Sequence, residues 1–246
     1  MSRVPQFFCD TLDWETDEAI LTGGEHVHLK RVLRLREGDA VFVSDGKGRL
    51  ARAVIADIGR DATRVRIEGE SRLNPESPLD ITLIQAVPKH RKMEWILQKA
   101  TELGVARVVP VVSAFSVPRV AGERWRRKRD RWRQILREAA KQSHRARIPH
   151  LEDLLPVEEA LIRYRSGENL FFTPRGAVSL KEYLDNSKET NKMTIAVGPE
   201  GGFSPREHDT ALGLGYHLCT MGPRIMRLET AVIKVLAVLQ FVRGDG

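Results

Sequence analysis

The chain has 246 residues, 41% of them hydrophobic and 30% charged, which suits a globular protein with one large domain or two modest ones. Its formal net charge of +7 favours an anionic partner, nucleic acid before membrane. Two isolated cysteines and seven histidines without ligand spacing argue against a disulfide framework and against a metal site. The first fifteen residues lack the apolar core of a signal peptide, and no apolar run is long enough to span a membrane, so we expect a cytoplasmic protein.

Residues 1–72 predict a small β-rich domain. Short apolar runs at 40–43, 50–55 and 63–67 are separated by turn-forming Asp-Gly and Gly-Arg-Asp sequences, which is the pattern of strands. Within the last run Arg64 and Arg66 alternate with apolar residues, so one face of the sheet should be basic. That face either contacts nucleic acid or merely keeps the sheet soluble.

Residues 73–78 predict a linker, because two prolines and several polar residues interrupt the pattern there. From residue 79 to residue 246 strands and helices alternate, which predicts an α/β domain with a parallel sheet. The strands expected in this domain are 81–87, 105–112, 170–174, 193–197 and 216–220. A one-sided apolar stripe predicts a helix over 93–103, which Gly104 ends.

Residues 119–147 carry twelve Lys and Arg against three Asp and Glu. Trp125, Trp132, Leu136 and Ala140 recur at helical spacing within this segment, so we expect a helix with one apolar stripe and a strongly cationic remainder. The tryptophans match the packing face and are interpreted as core residues. The excess of positive charge favours contact with a nucleic-acid backbone, and a merely solvated helix face is the alternative.

Residues 198–202, Gly-Pro-Glu-Gly-Gly, follow the predicted strand 193–197. Ser204, Pro205 and Glu207 come next and predict a capped helix start. A strand, a glycine turn and a helix N-terminus together favour a ligand site at the carboxyl end of a sheet, although a plain turn is the alternative. Glu200 inside the turn disfavours a polyphosphate and favours a neutral or cationic ligand.

A second Gly-Pro loop, residues 221–231, follows the last predicted strand and leads into a helix that extends to about residue 242. That helix is apolar on most faces, and such a helix is normally buried. Burial inside the domain and burial between two subunits both fit, and we expect a homodimer.

These two loops, together with residues 28–39, 92–104 and 131–145, resemble the bacterial 16S ribosomal RNA (uracil-N3)-methyltransferase family of the SPOUT class. The resemblance covers most of the chain. It implies that residues 1–72 form a PUA-like β-barrel that helps to bind RNA. It further implies that residues 79–246 form a SPOUT methyltransferase domain with a deep trefoil knot, which binds S-adenosylmethionine and is active as a dimer on the small ribosomal subunit.

The resemblance also implies site residues. The implied cofactor-binding residues are Phe172, Thr173, Ala196, Val197, Gly198, Glu200, Gly201, Gly202, Leu218, Met221, Gly222, Ile225, Leu228, Thr230 and Ala231. The residues predicted to contact RNA are Arg3, Arg31, Arg34, Arg64, Arg66, Arg126, Arg127, Arg131 and Gln142. Two positions depart from the family pattern: Leu228 stands where Thr is usual, which would alter cofactor contacts, and Gln6 stands where Arg is usual, which would weaken an RNA contact.

The expected chemistry restricts the catalytic candidates. Uracil N3 carries a proton, so methylation there requires a group that accepts this proton or stabilises the resulting anion. Arg224, Arg227 and Arg145 are candidates for stabilising negative charge at the base or its phosphate. Glu200 and Glu229 are candidates for the base, or for structural hydrogen-bond acceptors.

Three functions are therefore compatible with the sequence. The first is methylation of uridine N3 in 16S ribosomal RNA. The second is a SPOUT methyltransferase acting on another ribosomal or transfer RNA nucleotide. The third is a non-catalytic RNA-binding factor of ribosome assembly, in which the glycine loops are only turns. Cofactor binding separates the third function from the other two.

Overall fold

The computed structural model describes residues 4–9, 12–13, 15–71, 75–89, 92–116, 122–174, 178–188 and 190–245. Contacts between Cα atoms divide these residues into two compact units. The first unit contains the described residues up to Glu76 together with Ala140–Ile148, and the second contains Ser77–Ala139 and the described residues from Pro149 onward. The sequence-based boundaries at 72 and 79 stay a prediction.

The first unit is built on a mixed six-stranded sheet. Its strands are β1 (Gln6–Phe8), β2 (Leu12–Asp13), β3 (Glu18–Thr22), β4 (Ala40–Ser44), β5 (Leu50–Ile58) and β6 (Ala62–Glu70), in the order β1-β4-β5-β6-β3-β2. Strand β1 pairs with β4 in parallel, and the other pairs are antiparallel. A short helix α1 (Gly23–Val27) and a π-helical turn (His28–Val32) follow β3.

Alternation along β6 produces the core of this unit. Val65 and Ile67 are buried with the apolar residues of β3, β4 and β5, whereas Arg64 and Arg66 are exposed. A period of two residues places successive side chains on opposite faces of a strand, so this pattern was readable from the sequence.

Residues 140–148 are tied to the rest of the first unit by polar contacts. The Lys141 ammonium donates to Glu25 Oε2 at 2.7 Å and lies 4.9 Å from the centre of the Phe7 ring. The Ser44 hydroxyl donates to the Ala146 carbonyl at 2.7 Å. A segment distant in sequence is therefore part of this unit.

The second unit is an α/β unit with a parallel sheet. Its strands are β7 (Asp80–Ala86), β8 (Arg107–Val112), β9 (His150–Leu151), β10 (Leu155–Pro156), β11 (Glu168–Phe172), β12 (Val178–Ser179), β13 (Lys192–Val197) and β14 (His217–Thr220). The order is β10-β8-β7-β13-β11-β14-β12, with β9 beside β8, and every pair is parallel. The central strands read as continuous apolar runs because they are buried on both faces.

Six helices contribute to the α/β part of the described chain. They are α2 (Lys92–Glu102), α3 (Glu123–Gln142), α4 (Val157–Arg163), α5 (Leu180–Asn186), α6 (Pro205–Gly213) and α7 (Leu228–Arg243). The last three residues of α3 belong to the first unit.

Helix α3 has the predicted amphipathic character. Trp132 is 1% exposed and stacks edge-to-face on Trp125, with ring centroids 5.5 Å apart. Leu136 and Ala140 are also buried, so the apolar stripe is a packing face as expected. Most of the arginines of this helix lie on its exposed side.

Helix α7 is only partly buried within one chain. Val232, Val235 and Leu239 are fully buried, whereas Phe241 is 75% exposed and Val242 is 49% exposed. Gln240 donates to the Leu103 carbonyl at 2.9 Å and so fixes the C-terminal half of the helix beside α2. Among the described residues, no helix is both long enough and apolar enough to cross a membrane.

Candidate cofactor pocket

A pocket that is open to solvent lies at the carboxyl ends of β11, β13 and β14. The residues that line it are Phe172, Thr173, Pro174, Val197, Gly198, Pro199, Glu200, Gly202, Thr220, Met221, Gly222, Arg224, Ile225, Met226, Leu228 and Ala231. The carboxyl edge of a parallel sheet is where open α/β folds bind ligands.

The C-terminal end of the loop after β13 is anchored by hydrogen bonds at the start of α6. Ser204 and Glu207 form the predicted capping box: the Ser204 backbone N–H donates to Glu207 Oε2 at 2.6 Å, and the Glu207 N–H donates to Ser204 Oγ at 3.3 Å. The other Glu207 oxygen accepts from the Ala114 N–H at 2.8 Å. The capping residues thus also anchor this loop to the segment after β8.

The backbone favours glycine at two places in these loops. A Cβ added to Gly198 would lie 3.1 Å from the carbonyl carbon of Gly202, so the backbone of the loop would have to shift by a few tenths of an ångström. Gly222 has a φ of +105°, a conformation that residues with a Cβ rarely adopt. Both loops therefore bring bare backbone to the pocket.

The pocket wall is mostly apolar and carries two charged side chains. Val197, Leu228 and Phe172 are nearly buried, while Ile225 is 80% exposed at the rim. Glu200 and Arg224 are the charged residues of the lining.

A cluster of one lysine and two glutamates lies at the pocket rim. The Lys92 ammonium is 3.1 Å from Glu200 Oε1 and 3.5 Å from Glu229 Oε2. Burial by itself would raise the pKa of Glu200, but hydrogen bonds from its own backbone N–H, from Lys92 and from the Lys89 N–H outweigh it and hold this pKa below its ordinary value. Donation to Glu200 raises the pKa of Lys92, against the smaller opposing effect of burial. Glu200 and Lys92 are therefore both charged at neutral pH.

The RNA methyltransferase domain family matches residues 75–240, and the RNA methyltransferase PUA domain family matches residues 21–68. The chain belongs to the RNA methyltransferase family. The predicted class, an α/β fold with a parallel sheet and a small N-terminal PUA-like domain, is confirmed.

Two relatives carry the name ribosomal RNA small subunit methyltransferase E. The protein from Bacillus subtilis is 28% identical over 98% of this chain and 99% of its own length. The protein from Mycobacterium bovis is 31% identical over 94% of this chain and 88% of its own length.

Two solved structures have the same fold over nearly the whole chain. A ribosomal RNA small subunit methyltransferase E from Neisseria gonorrhoeae, bound to S-adenosyl methionine, superposes with a TM-score of 0.89 at 31% identity and covers 99% of both chains. A putative methyltransferase from Legionella pneumophila, in complex with the same cofactor, has a TM-score of 0.89 at 29% identity over 99% of this chain and all of its own.

Most residues that the family resemblance assigned to the cofactor line the pocket. Those that line it are Phe172, Thr173, Val197, Gly198, Glu200, Gly202, Met221, Gly222, Ile225, Leu228 and Ala231, together with the catalytic candidate Arg224. The pocket is also lined by Pro199, Thr220 and Met226, which lie within the implied cofactor loops 196–202 and 218–230 without being named singly, and by Pro174, which sequence reasoning missed. Pro174 directly follows the predicted residue Thr173, and that adjacency was the available signal.

Four predicted cofactor residues are not among the lining residues. Ala196 is completely buried in the core of the sheet, because the pocket begins at Val197, the last residue of β13. Gly201 faces away: a Cβ there would lie 3.1 Å from Cβ of Phe115. Leu218 packs against the core of the α/β unit, and Thr230 is exposed on the first turn of α7.

Arg145 is not among the residues that line the pocket, and its predicted role in stabilising negative charge stays a prediction. It belongs to the first unit, is 3% exposed, and donates to Glu76 Oε2 at 2.7 Å. Its carbonyl accepts from the Gln6 amide at 2.7 Å. A buried ion pair that organises its own unit is the role this geometry supports.

Gln6 is likewise internal. It is 3% exposed, and its side-chain oxygen is buried without a hydrogen-bond partner among the described residues. The departure from Arg at this position therefore concerns the interior of the first unit and not a solvent-facing RNA contact.

The predicted RNA-contacting residues that the structure describes are all exposed. Arg64, Arg127 and Arg131 are engaged in ion pairs with Asp57, Glu123 and Glu94. Arg3 lies outside the described residues. Within the described part of the chain, no group of His, Cys, Asp and Glu side chains could hold a metal ion.

Proposed function

We propose that this protein transfers the methyl group of S-adenosylmethionine to N3 of a uridine in the 16S RNA of the small ribosomal subunit. The observation that supports this most is the glycine-loop pocket at the carboxyl edge of the sheet, in a fold that matches a cofactor-bound relative over 99% of the chain.

The residues of the pocket fit S-adenosylmethionine. Apolar side chains such as Ile225 and Leu228 can pack on an adenine ring, and bare backbone at Gly198 and Gly222 allows a close approach. The cofactor has no phosphate and carries a sulfonium cation, so a lining carboxylate, Glu200, is compatible with it. When bound, the cofactor supplies an electrophilic methyl group. The protein contributes mainly by holding the reacting groups in attack geometry.

Arg224 is the residue we assign to the uracil. It lines the pocket, is exposed, and has no ion-pair partner among the described residues, so its guanidinium is available to an incoming anion. The pocket is open to solvent, so water can accept the N3 proton, and its loss leaves negative charge on the uracil oxygens, which a guanidinium stabilises. Glu200 is assigned to cofactor binding and not to proton removal, because its lowered pKa makes it a weak base.

RNA contacts are assigned to exposed arginines in each unit. In the first unit the assigned residues are Arg31, Arg34 and Arg66. In helix α3 they are Arg126 and Arg127. The PUA-domain match over residues 21–68 supports an RNA-binding role for the first unit. The target uridine has to leave any base stack to reach the pocket.

Three further properties belong to this proposal. The active form is a homodimer, which the exposed apolar residues Phe241 and Val242 of α7 support. The chain around the pocket forms the trefoil knot that the family resemblance implies. The protein works in the cytoplasm, where its ribosomal substrate is found.

The deciding experiment is methyl transfer from labelled S-adenosylmethionine to small ribosomal subunits, free 16S RNA and transfer RNA, offered in parallel. The subunits come from a strain that lacks this protein, so that the target is unmodified. We expect label in 16S RNA that is released as 3-methyluridine. Label in another nucleotide would support the proposed cofactor but show that the target nucleotide is a different one. Absence of cofactor binding would favour a non-catalytic RNA-binding factor of ribosome assembly.

A further inference from the structure

Lys92 connects three chain segments that are far apart in sequence. It lies in the first turn of α2, and its ammonium reaches Glu200 in the loop after β13 and Glu229 in the first turn of α7. The neighbouring Lys89 N–H also approaches Glu200, with 3.4 Å between its nitrogen and Oε2. The start of α2 and the residue Lys89 before it therefore contact both glutamates of the cluster, Glu200 and Glu229.

The two glutamates belong to the two different chain segments that form the pocket. Glu200 itself lines the pocket as part of the first loop, and Glu229 lies between two lining residues of the second, Leu228 and Ala231. A group that binds both carboxylates thus sets the distance between the two loops.

The position of Lys92 is electrostatically unfavourable without its partners. A cation in the first turn of a helix opposes the helix dipole, which favours acidic residues there. Glu229 Oε2 is buried and has no hydrogen-bond partner among the described residues, so the nearby Lys92 ammonium is what balances its charge. Without Lys92, two carboxylates on different loops would repel each other.

We propose that Lys92 is a positioning residue of the cofactor site, which joins the loop after β13 to the start of α7 and holds them at the spacing that binds S-adenosylmethionine. This inference rests on the proposed function, since it assigns a role within the same pocket. Lys92 does not line the pocket and acts through Glu200 and Glu229.

Charge and geometry predict opposite effects of removing Lys92. If long-range electrostatics acted alone, loss of a positive charge beside the pocket would remove a repulsion and strengthen the binding of a cationic cofactor. Loss of the connection between the loops would weaken it. The sign of the change in affinity therefore separates the two effects.

The test is titration calorimetry with S-adenosylmethionine and with S-adenosylhomocysteine, which lacks the sulfonium charge. We expect Lys92→Met to raise the dissociation constant of both ligands about tenfold, with kcat at saturating cofactor within threefold of wild type. Lys92→Arg should stay within threefold for both ligands. Lys92→Met combined with Glu229→Gln should recover part of the affinity, because the repulsion is removed.

The matched control is Lys99→Met on the same helix. Lys99 pairs with Glu102 at 2.7 Å and is not among the pocket residues, so cofactor affinity should be unchanged. Thermal unfolding verifies that each variant is folded. If Lys92→Met does not fold, Lys92→Arg and Glu229→Gln still test the connection between the two loops. Unchanged or tighter binding by folded Lys92→Met, or an equal loss in Lys99→Met, would overturn the inference. Failure of the wild-type protein to bind either ligand would instead overturn the proposed function.

Discussion

At the scale of single residues, the glycines of the two loops differ in what makes a side chain unfavourable. Gly222 has open space around an added Cβ but a φ of +105°, whereas an added Cβ at Gly198 or Gly201 meets a neighbour at 3.1 Å. The close neighbours of an added Cβ at Gly198 are backbone atoms of Gly202 and the Phe203 ring, whereas at Gly201 they are side-chain atoms of Phe115, a residue that does not line the pocket. The reason is the path of the loop, which the sequence Gly-Pro-Glu-Gly-Gly does not specify.

Gly198→Ala should therefore weaken cofactor binding by at least tenfold, because the added methyl group displaces the backbone at Gly202. Calorimetric titration with S-adenosylmethionine measures this. The control is Gly213→Ala at the end of α6, where an added Cβ meets nothing within 4 Å. Similar affinities for the two variants would show that the loop adapts and that its tight turn is not needed for binding.

At the scale of elements, α3 shows how much a pattern can predict and where it stops. The spacing of Trp125, Trp132 and Leu136 predicted both the helix and its packing face, because a period near 3.6 residues is a local property. Which arginines are engaged in ion pairs depends on neighbours from other segments. Arg131 pairs with Glu94 of α2 and Arg129 pairs with Asp153, and no local rule indicates those partners.

Replacing Arg126 and Arg127 by Gln should lower RNA affinity uniformly across sequences. Each lost phosphate contact reduces the slope of log affinity against log salt by about 1. Filter binding to 16S RNA at several salt concentrations measures that slope. Arg163→Gln with Lys181→Gln removes the same charge from exposed positions on α4 and α5 and is the control. An equal loss of RNA affinity in the control variant would show that the effect comes from the change in net charge alone.

At the scale of the whole molecule, α7 has an exposed apolar end that one chain does not cover. Phe241 and Val242 are exposed, while the opposite side of the helix is fully buried. A self-complementary contact between two such helices would cover both ends, as in twofold-symmetric dimers.

Phe241→Asp should convert the dimer to a monomer, because it places a charge in the proposed contact. Sedimentation velocity reports the change in mass. Leu212→Asp on α6 alters a side chain that is 53% exposed and should leave the dimer intact. A wild-type protein that sediments as a monomer would refute the homodimer directly.

The sequence by itself determined the local features of this protein. The capping box at Ser204 and Glu207, the buried strand at 193–197 and the amphipathic helix α3 follow from residue spacing, and the structure confirms them. The order of the motifs also sufficed to indicate the family. These properties depend on contacts between residues that are near one another in the chain.

Only the tertiary structure decided which distant residues meet. It brought Lys92 to Glu200 and Glu229, more than 100 positions away, and it buried Arg145 against Glu76 in the first unit. The order β7-β13-β11-β14, which sets the strand ends that surround the pocket, is likewise not the order of the chain. The physical reason is that such contacts are selected by the packing of the whole sheet and its helices, while each segment alone carries information about its own conformation only.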